Sequence, residues 1–125
     1  MPKAFPLGLN ASFIAQHGFV SAVVARAGLA ATALWAVGTA GVNPAAGRTA
    51  GTVSTLYSLI IENNTGAAVT AWLEVGGVVI TPIYHVNNGE SAVVSFVAGQ
   101  NVGNQDIDCN ASVNAVNFQV LGIQV

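Results

Sequence analysis

From Thr55 onward the chain is a succession of short runs that alternate between apolar and polar residues, each closed by glycine, asparagine or proline. A period of two sends successive side chains to opposite faces of a strand, so each run has one face to bury. Thr55 to Glu62 is rich in β-formers and stops at Asn63-Asn64-Thr65-Gly66. Ala68 to Val75 follows, with Val69, Ala71, Leu73 and Val75 on one face and Thr70, Trp72 and Glu74 on the other. Gly76-Gly77 supplies a two-residue hairpin connection, because glycine adopts positive φ without a steric penalty. Val78 to Val86 is the partner strand, and Pro82 within it implies a bulge or an exposed edge. Asn87-Asn88-Gly89 makes the next turn, Glu90 to Val97 the next strand, and Gly99 to Asn104 a loop. Asp106 to Ser112 places Ile107, Cys109 and Ala111 inward and Asp106, Asp108 and Asn110 outward. Ala115 to Val125 sets Val116, Phe118 and Val120 against Asn117, Gln119 and Leu121.

Six strands in about seventy residues, with a turn roughly every eleven, is the spacing of an antiparallel sandwich or jelly roll. Two more strands would complete a jelly roll, and Phe19 to Arg26 and Leu29 to Val37 are the segments that supply them. The same stretch, residues 18–38, is alanine-rich enough to form a helix instead. Val20, Val23, Val24, Thr32, Trp35 and Val37 favour strands. The sequence thus predicts an all-β fold, an antiparallel, jelly-roll-like β-sandwich over residues 18–125, in which 18–52 is either strand or Ala-rich helix. Residues 1–17, with Pro2, Pro6, Gly8 and Asn10, read as an extended N-terminal arm. Phe5, Leu7, Leu9, Phe13 and Ile14 are its candidate anchors in the grooves or sheet edges of a neighbour.

Composition narrows the function. Charged residues make up 6% of the chain and apolar residues 53%, against roughly 25% charged in an ordinary soluble domain. A surface of Asn, Gln, Ser, Thr, Gly and Ala suits protein neighbours better than a solitary life in water. The charges are also sorted: Lys3, Arg26 and Arg48 precede Glu62, Glu74, Glu90, Asp106 and Asp108. Opposite signs on two segments favour packing the N-terminal part of one copy against the body of another. Three scattered cations form no nucleic-acid footprint. The single Cys109 has no intramolecular partner for a disulfide and reads as a small buried strand residue. Residues 19–42 resemble a membrane segment, and the 21 uncharged residues between Arg26 and Arg48 have about the length of a span, but Gly28, Gly38, Gly41 and Pro44 interrupt the stretch and Ala, Gly and Thr dilute it, so insertion would be poorly driven. Seventeen mixed residues ahead of that stretch fit a secretory leader badly.

No catalytic constellation emerges, and no cofactor or metal site. His17 and His85 lack local ligand partners. Asp106-x-Asp108 is half of a calcium pattern without the further oxygen ligands and the closing glutamate. Phosphate loops and nucleophile elbows are absent. The glycosylation tripeptides at Asn10, Asn63 and Asn110 are chance matches in an Asn-rich chain. Trp72, on the face opposite the apolar one, is a candidate for a subunit interface, where tryptophan is enriched. Tyr57 and Tyr84 could serve likewise.

Leu34-Trp35-Ala36-Val37, then Val42 to Arg48, the Leu56-to-Asn64 strand with Thr65-Gly66, the Gly76-to-Pro82 hairpin and the Asn88-Gly89-Glu90 turn resemble small structural proteins of tailed-phage virions. That group includes capsid decoration (cement) proteins with small β-sandwich folds, and the resemblance covers residues 33–125. It implies a non-enzymatic virion protein made in the host cytoplasm and placed on the capsid surface. Such a protein works as a homo-oligomer, a trimer by preference, and bridges subunits of the major capsid protein. A tail or fibre component shares these features. Two further readings stay open. A membrane-associated virion protein would use residues 19–42 as a helix, and a carbohydrate-binding module would expose Trp72, Tyr57 or Tyr84 as a stacking platform.

Overall fold

The computed structural model describes residues 18–21, 23–28, 31–35 and 53–124. Among them are ten strands and no helix. In chain order these are β1 (Gly18–Val20), β2 (Val24–Ala25), β3 (Thr32–Trp35), β4 (Ser54–Glu62) and β5 (Val69–Val75). Then come β6 (Val78–Val79), β7 (Tyr84–Val86), β8 (Ser91–Gly103), β9 (Ile107–Ala111) and β10 (Asn117–Gln124). Strands, not a helix, therefore form from the described part of residues 18–38. Pairing with β10 and β9 outweighs the helical preference of the alanines.

The strands build two five-stranded antiparallel sheets that pack face to face as a β-sandwich. One, the β4 sheet, runs β1-β10-β4-β8, with β2 also alongside β10. The other, the β5 sheet, runs β3-β9-β5-β6, with β7 also alongside β5. The short links β2–β3, β4–β5, β7–β8, β8–β9 and β9–β10 all cross between sheets. The β5–β6 link stays within one sheet. There Gly76 and Gly77 take φ of +58° and +79°, as a type I′ turn requires, and Val75 pairs with Val78.

Alternation then fills the core. Leu56, Leu59, Ile61, Phe118 and Val120 point inward from the β4 sheet. Leu73, Ile107, Cys109 and Ala111 meet them from the β5 sheet, all buried. Burial strictly alternates through β5 and β9.

Three local features differ from the sequence reading. Residues 99–103 continue β8 and do not form a loop, because Ser54, Thr55 and Leu56 pair with Gly103, Asn101 and Gln100. The ladder accommodates this through a wide bulge, in which Phe96 to Gly99 lie opposite Tyr57 alone. Gly99 ends the bulge at φ +81°, where a Cβ would come within 2.7 Å of Thr55 Cγ2. Secondly, Leu121 shares the face of Ser58 and Ile123 that of Thr55, opposite the core face, yet Leu121, Ile123 and Ser58 are all buried. Alternation gives the direction of a side chain but not whether that face is covered. Thirdly, Val78 to Val86 splits at Pro82 into two short strands. The Thr81 hydroxyl accepts from the Leu73 N–H at 3.1 Å, taking over from a ladder carbonyl beside the proline.

Candidate interaction surfaces

The outer face of the β5 sheet holds two carboxylates in adjacent positions. Trp72 and Glu74 of β5 lie beside Asp108 and Asn110 of β9. Trp72 Nε1 donates to Glu74 Oε2 at 2.9 Å, and Asn110 Nδ2 donates to the same oxygen at 2.8 Å. Asn110 Oδ1 in turn accepts from Arg26 Nε at 3.1 Å, and Asn114 Oδ1 accepts from Arg26 Nη1 at 3.0 Å. The Asn110 amide therefore bridges a buried guanidinium and a carboxylate that do not touch directly. This corrects the expectation that Arg26 is available to the body of another copy: it is 6% exposed and engaged within its own chain. Asp108 faces Glu74 across the ladder. Its carboxyl pKa is raised by burial, and the charges of Asp106 and Glu74 raise it further.

Among the described residues the three aromatics expected at an interface are not fully exposed. Trp72, Tyr57 and Tyr84 are all half-buried, and Tyr84 packs against the core with its phenol pKa pushed up by burial. Cys109 is fully buried, and burial raises its thiol to about 12, so it holds no thiolate at neutral pH. Among the described residues no three of His, Cys, Asp and Glu converge as metal ligands. No helix among them is long and apolar enough to cross a membrane.

One end of the sandwich is tied together by Asn63. Its Nδ2 donates to the carbonyls of Ala67 and Val86, at 2.8 and 2.9 Å, and its Oδ1 accepts from Thr65 N and Oγ1. The residue is fully buried, so the Asn63 tripeptide presents no side chain for glycosylation.

Among the described residues the exposed large apolar side chains are all aliphatic, Val23 at 61% among them, and several belong to the edge strands. Val93 and Val97 of β8 are 67% and 84% exposed, and Val78, Val79 and Ile83 of the β6–β7 segment 64%, 47% and 47%. Between the two edges, at the β5–β6 turn, lies a cleft of about 510 Å³ bounded by Val75, Val78 and Ile80 on one side and Asn101, Val102 and Gly103 on the other. Sequence reasoning passed over these positions. The signal was present: in Ser91 to Val97, valines occupy the phase shared with Ser91 and Ser95, which should face solvent. Of the expected interaction residues, Trp72 is on the outer face of the β5 sheet, while Phe5, Leu7, Leu9, Phe13 and Ile14 fall outside the described residues, as do Lys3 and Arg48. Set against known proteins, the chain matches no family and no curated sequence.

Proposed function

We propose that this chain is a non-enzymatic structural protein of a virion, a capsid decoration protein that bridges and stabilises major capsid subunits as a homo-oligomer. The observation that carries the reading is the set of exposed aliphatic side chains, Val23, Val78, Val79, Ile83, Val93 and Val97 among them, in a chain of which only 6% of residues are charged. Val23 and Val93 both border Ile60 on the outer face of the β4 sheet, and contiguous exposed apolar surface of that kind marks protein contact. Support for a jelly-roll form of the sandwich comes from the described strands, two antiparallel sheets between which most of the short links cross, as in the double-sheet jelly rolls of viral capsid domains. A decoration protein would add contact area across capsomer junctions, and several weak apolar contacts made at once would combine as avidity.

Attachment by apolar and amide contacts outlasts salt, because a Debye length of about 3 Å at about 1 M screens exposed charges but not buried apolar area. The test is co-sedimentation of the recombinant chain with capsids across a salt series, with immunogold labelling of intact particles. Retention at about 1 M salt and label on the capsid surface are expected. Failure to bind capsids at any salt overturns the reading, and release below about 0.5 M transfers the attachment to ionic contacts.

A further inference from the structure

The outer face of the β4 sheet is covered at one corner and open elsewhere. At that corner Val20, Leu121 and Ser58 stand side by side in one row, and Gly18, Ile123 and Thr55 in the next. Leu121 is 8% exposed, Ile123 7%, and Ser58 is fully buried. Along the same face, away from Gly18, Ile60 is half-buried, Val93 beside it is 67% exposed, and Glu62 and Ser91 beyond them are exposed. Burial also falls off toward the β8 edge, where Ser95 beside Ser58 and Asn101 beside Thr55 are both exposed. The cover is thus confined to β10 and β4 at the end where β1 begins. Among the described residues no strand supplies it, since every strand belongs to one of the two sheets and the β5 sheet packs on the opposite, core face. Ser58 Oγ, in the middle of the corner, is buried with no hydrogen-bond partner among the described residues. Buried hydroxyls are nearly always paired, so this one calls for a polar group from whatever lies over it.

We propose that residues 1–17 of the same chain fold back over this corner and seat Phe13 and Ile14 on Leu121 and Ile123. The point at which the segment joins the body favours it: residue 17 leads into Gly18, which stands beside Ile123 in the outer row. The reach is right. Ser58 lies two strands and one row from Gly18, about 12 Å away for strands about 4.8 Å apart and residues about 3.3 Å long. Ile14 and Phe13 precede Gly18 by four and five residues, an extended reach of about 13 and 17 Å. Composition separates this segment from the other that joins the body nearby. Residues 36–52, which lead toward β4, contain no aromatic and nothing aliphatic larger than valine, whereas 1–17 carry Phe5, Leu7, Leu9, Phe13 and Ile14. An extended segment also brings main-chain N–H and C=O groups within reach of Ser58 Oγ. A tether of four residues holds Ile14 beside the corner at an effective concentration of order millimolar, so the chain's own segment outcompetes that of a neighbour. The placement is independent of the virion reading. It withdraws Phe13 and Ile14 from a neighbour's grooves and leaves Val23, Ile60 and Val93 as the open part of the face.

Labelling of S58C in the full chain with a charged thiol reagent tests the seat, and L121C repeats the measurement at the neighbouring position. Cys109, fully buried in the core, reports on the fold in the same molecule. The S58C thiol is expected to react slowly, at a rate that does not change between nanomolar and micromolar protein. Adding F13D/I14D should speed that reaction about tenfold or more while Cys109 stays protected. If this pair opens Cys109 as well, F13A/I14A takes its place with the same expectation. V37D/V42D, in the 36–52 connection, should leave S58C protected. An S58C thiol that reacts rapidly in the otherwise unchanged chain, or stays protected when Phe13 and Ile14 are replaced, overturns the proposal. Exposure by V37D/V42D instead assigns the corner to 36–52, and protection that fades on dilution assigns it to the N-terminal segment of a second copy; either result overturns it too. Because no measurement in the series involves capsids, failure of the virion reading leaves the result untouched.

Discussion

Replacing Asp108 with asparagine tests whether the outer face of the β5 sheet stores an unrelieved repulsion. Asp108 stands directly across the ladder from Glu74, and like charges so placed destabilise a sheet. The nearby cation does not relieve it, because the Arg26 guanidinium donates to Asn110 and Asn114. Two unit charges about 6 Å apart repel by about 0.7 kcal/mol in bulk water and about 3 kcal/mol at an effective dielectric of about 20. On a half-exposed face with cross-strand effects of about 0.2–1 kcal/mol, D108N is expected to gain about 1 kcal/mol at pH 7.

The pH dependence isolates the charge as the cause. Burial, Asp106 and Glu74 raise the folded pKa of Asp108 above an unfolded value of about 3.9. Well above both values the group is ionised in both states, and the folded state carries the whole penalty. Below both it is neutral in both, and the penalty is gone. The advantage of D108N should therefore be absent near pH 3, grow as pH rises from about 4 through the folded pKa, and stay level beyond it. Urea unfolding of both proteins, followed by circular dichroism at pH 3 and pH 7, reads the difference directly. An equal gain at both pH values would remove electrostatics as the cause, and a loss at pH 7 would refute the argument outright.

Three further outcomes follow from packing and bonding. A Cβ at Gly122 would strike the Thr55 carbonyl oxygen and approach Phe19 Cζ to 2.8 Å, so G122A should cost about 3 kcal/mol; an unchanged Tm would contradict the close approach of β10 to β4. N63A strips the buried carbonyl of Val86 and the partly buried carbonyl of Ala67 of their amide donor and should lose about 2–3 kcal/mol in denaturant unfolding, with wild-type stability as the refuting result. Cys109, buried and with its thiol at about 12, should resist a thiol-specific reagent at mildly alkaline pH until denaturant is added; rapid labelling of the native protein would show that β9 opens readily.

Where burial is one-sided, the sequence was a faithful guide. In β5 the order Val69-Thr70-Ala71-Trp72-Leu73-Glu74-Val75 states which side chains point inward, and Gly76-Gly77 states where the chain turns. It misled where a residue had two physical uses. Gly99 reads as a breaker but serves as the positive-φ corner of a bulge, and only the partner residues on β4 reveal that. Leu121 reads as a member of a polar face because covering of that face depends on other segments. The role of Arg26 was not legible at all, since Asn110 and Asn114 lie 84 and 88 residues away and asparagine gives no sign that it will accept from a guanidinium. The exposed valines of β8 were half-legible: they were visible in the wrong phase, but which side chains they lie beside depends on the partner strands.

The position of β10 has a consequence for biogenesis. It sits between β1 and β4, so no two earlier strands of its sheet except β4 and β8 can pair before it arrives. On the ribosome, β1 and β2 must wait about a hundred residues for residues 117–124 to be made, and closure of the sandwich is the last event, not a gradual accretion. Folds with such distant pairings assemble slowly and expose unpaired strands meanwhile. For a chain with so few charges to keep nascent copies apart, the hazardous period is synthesis itself, and a high rate of expression should be limited by aggregation of unfinished chains before it is limited by the stability of finished ones.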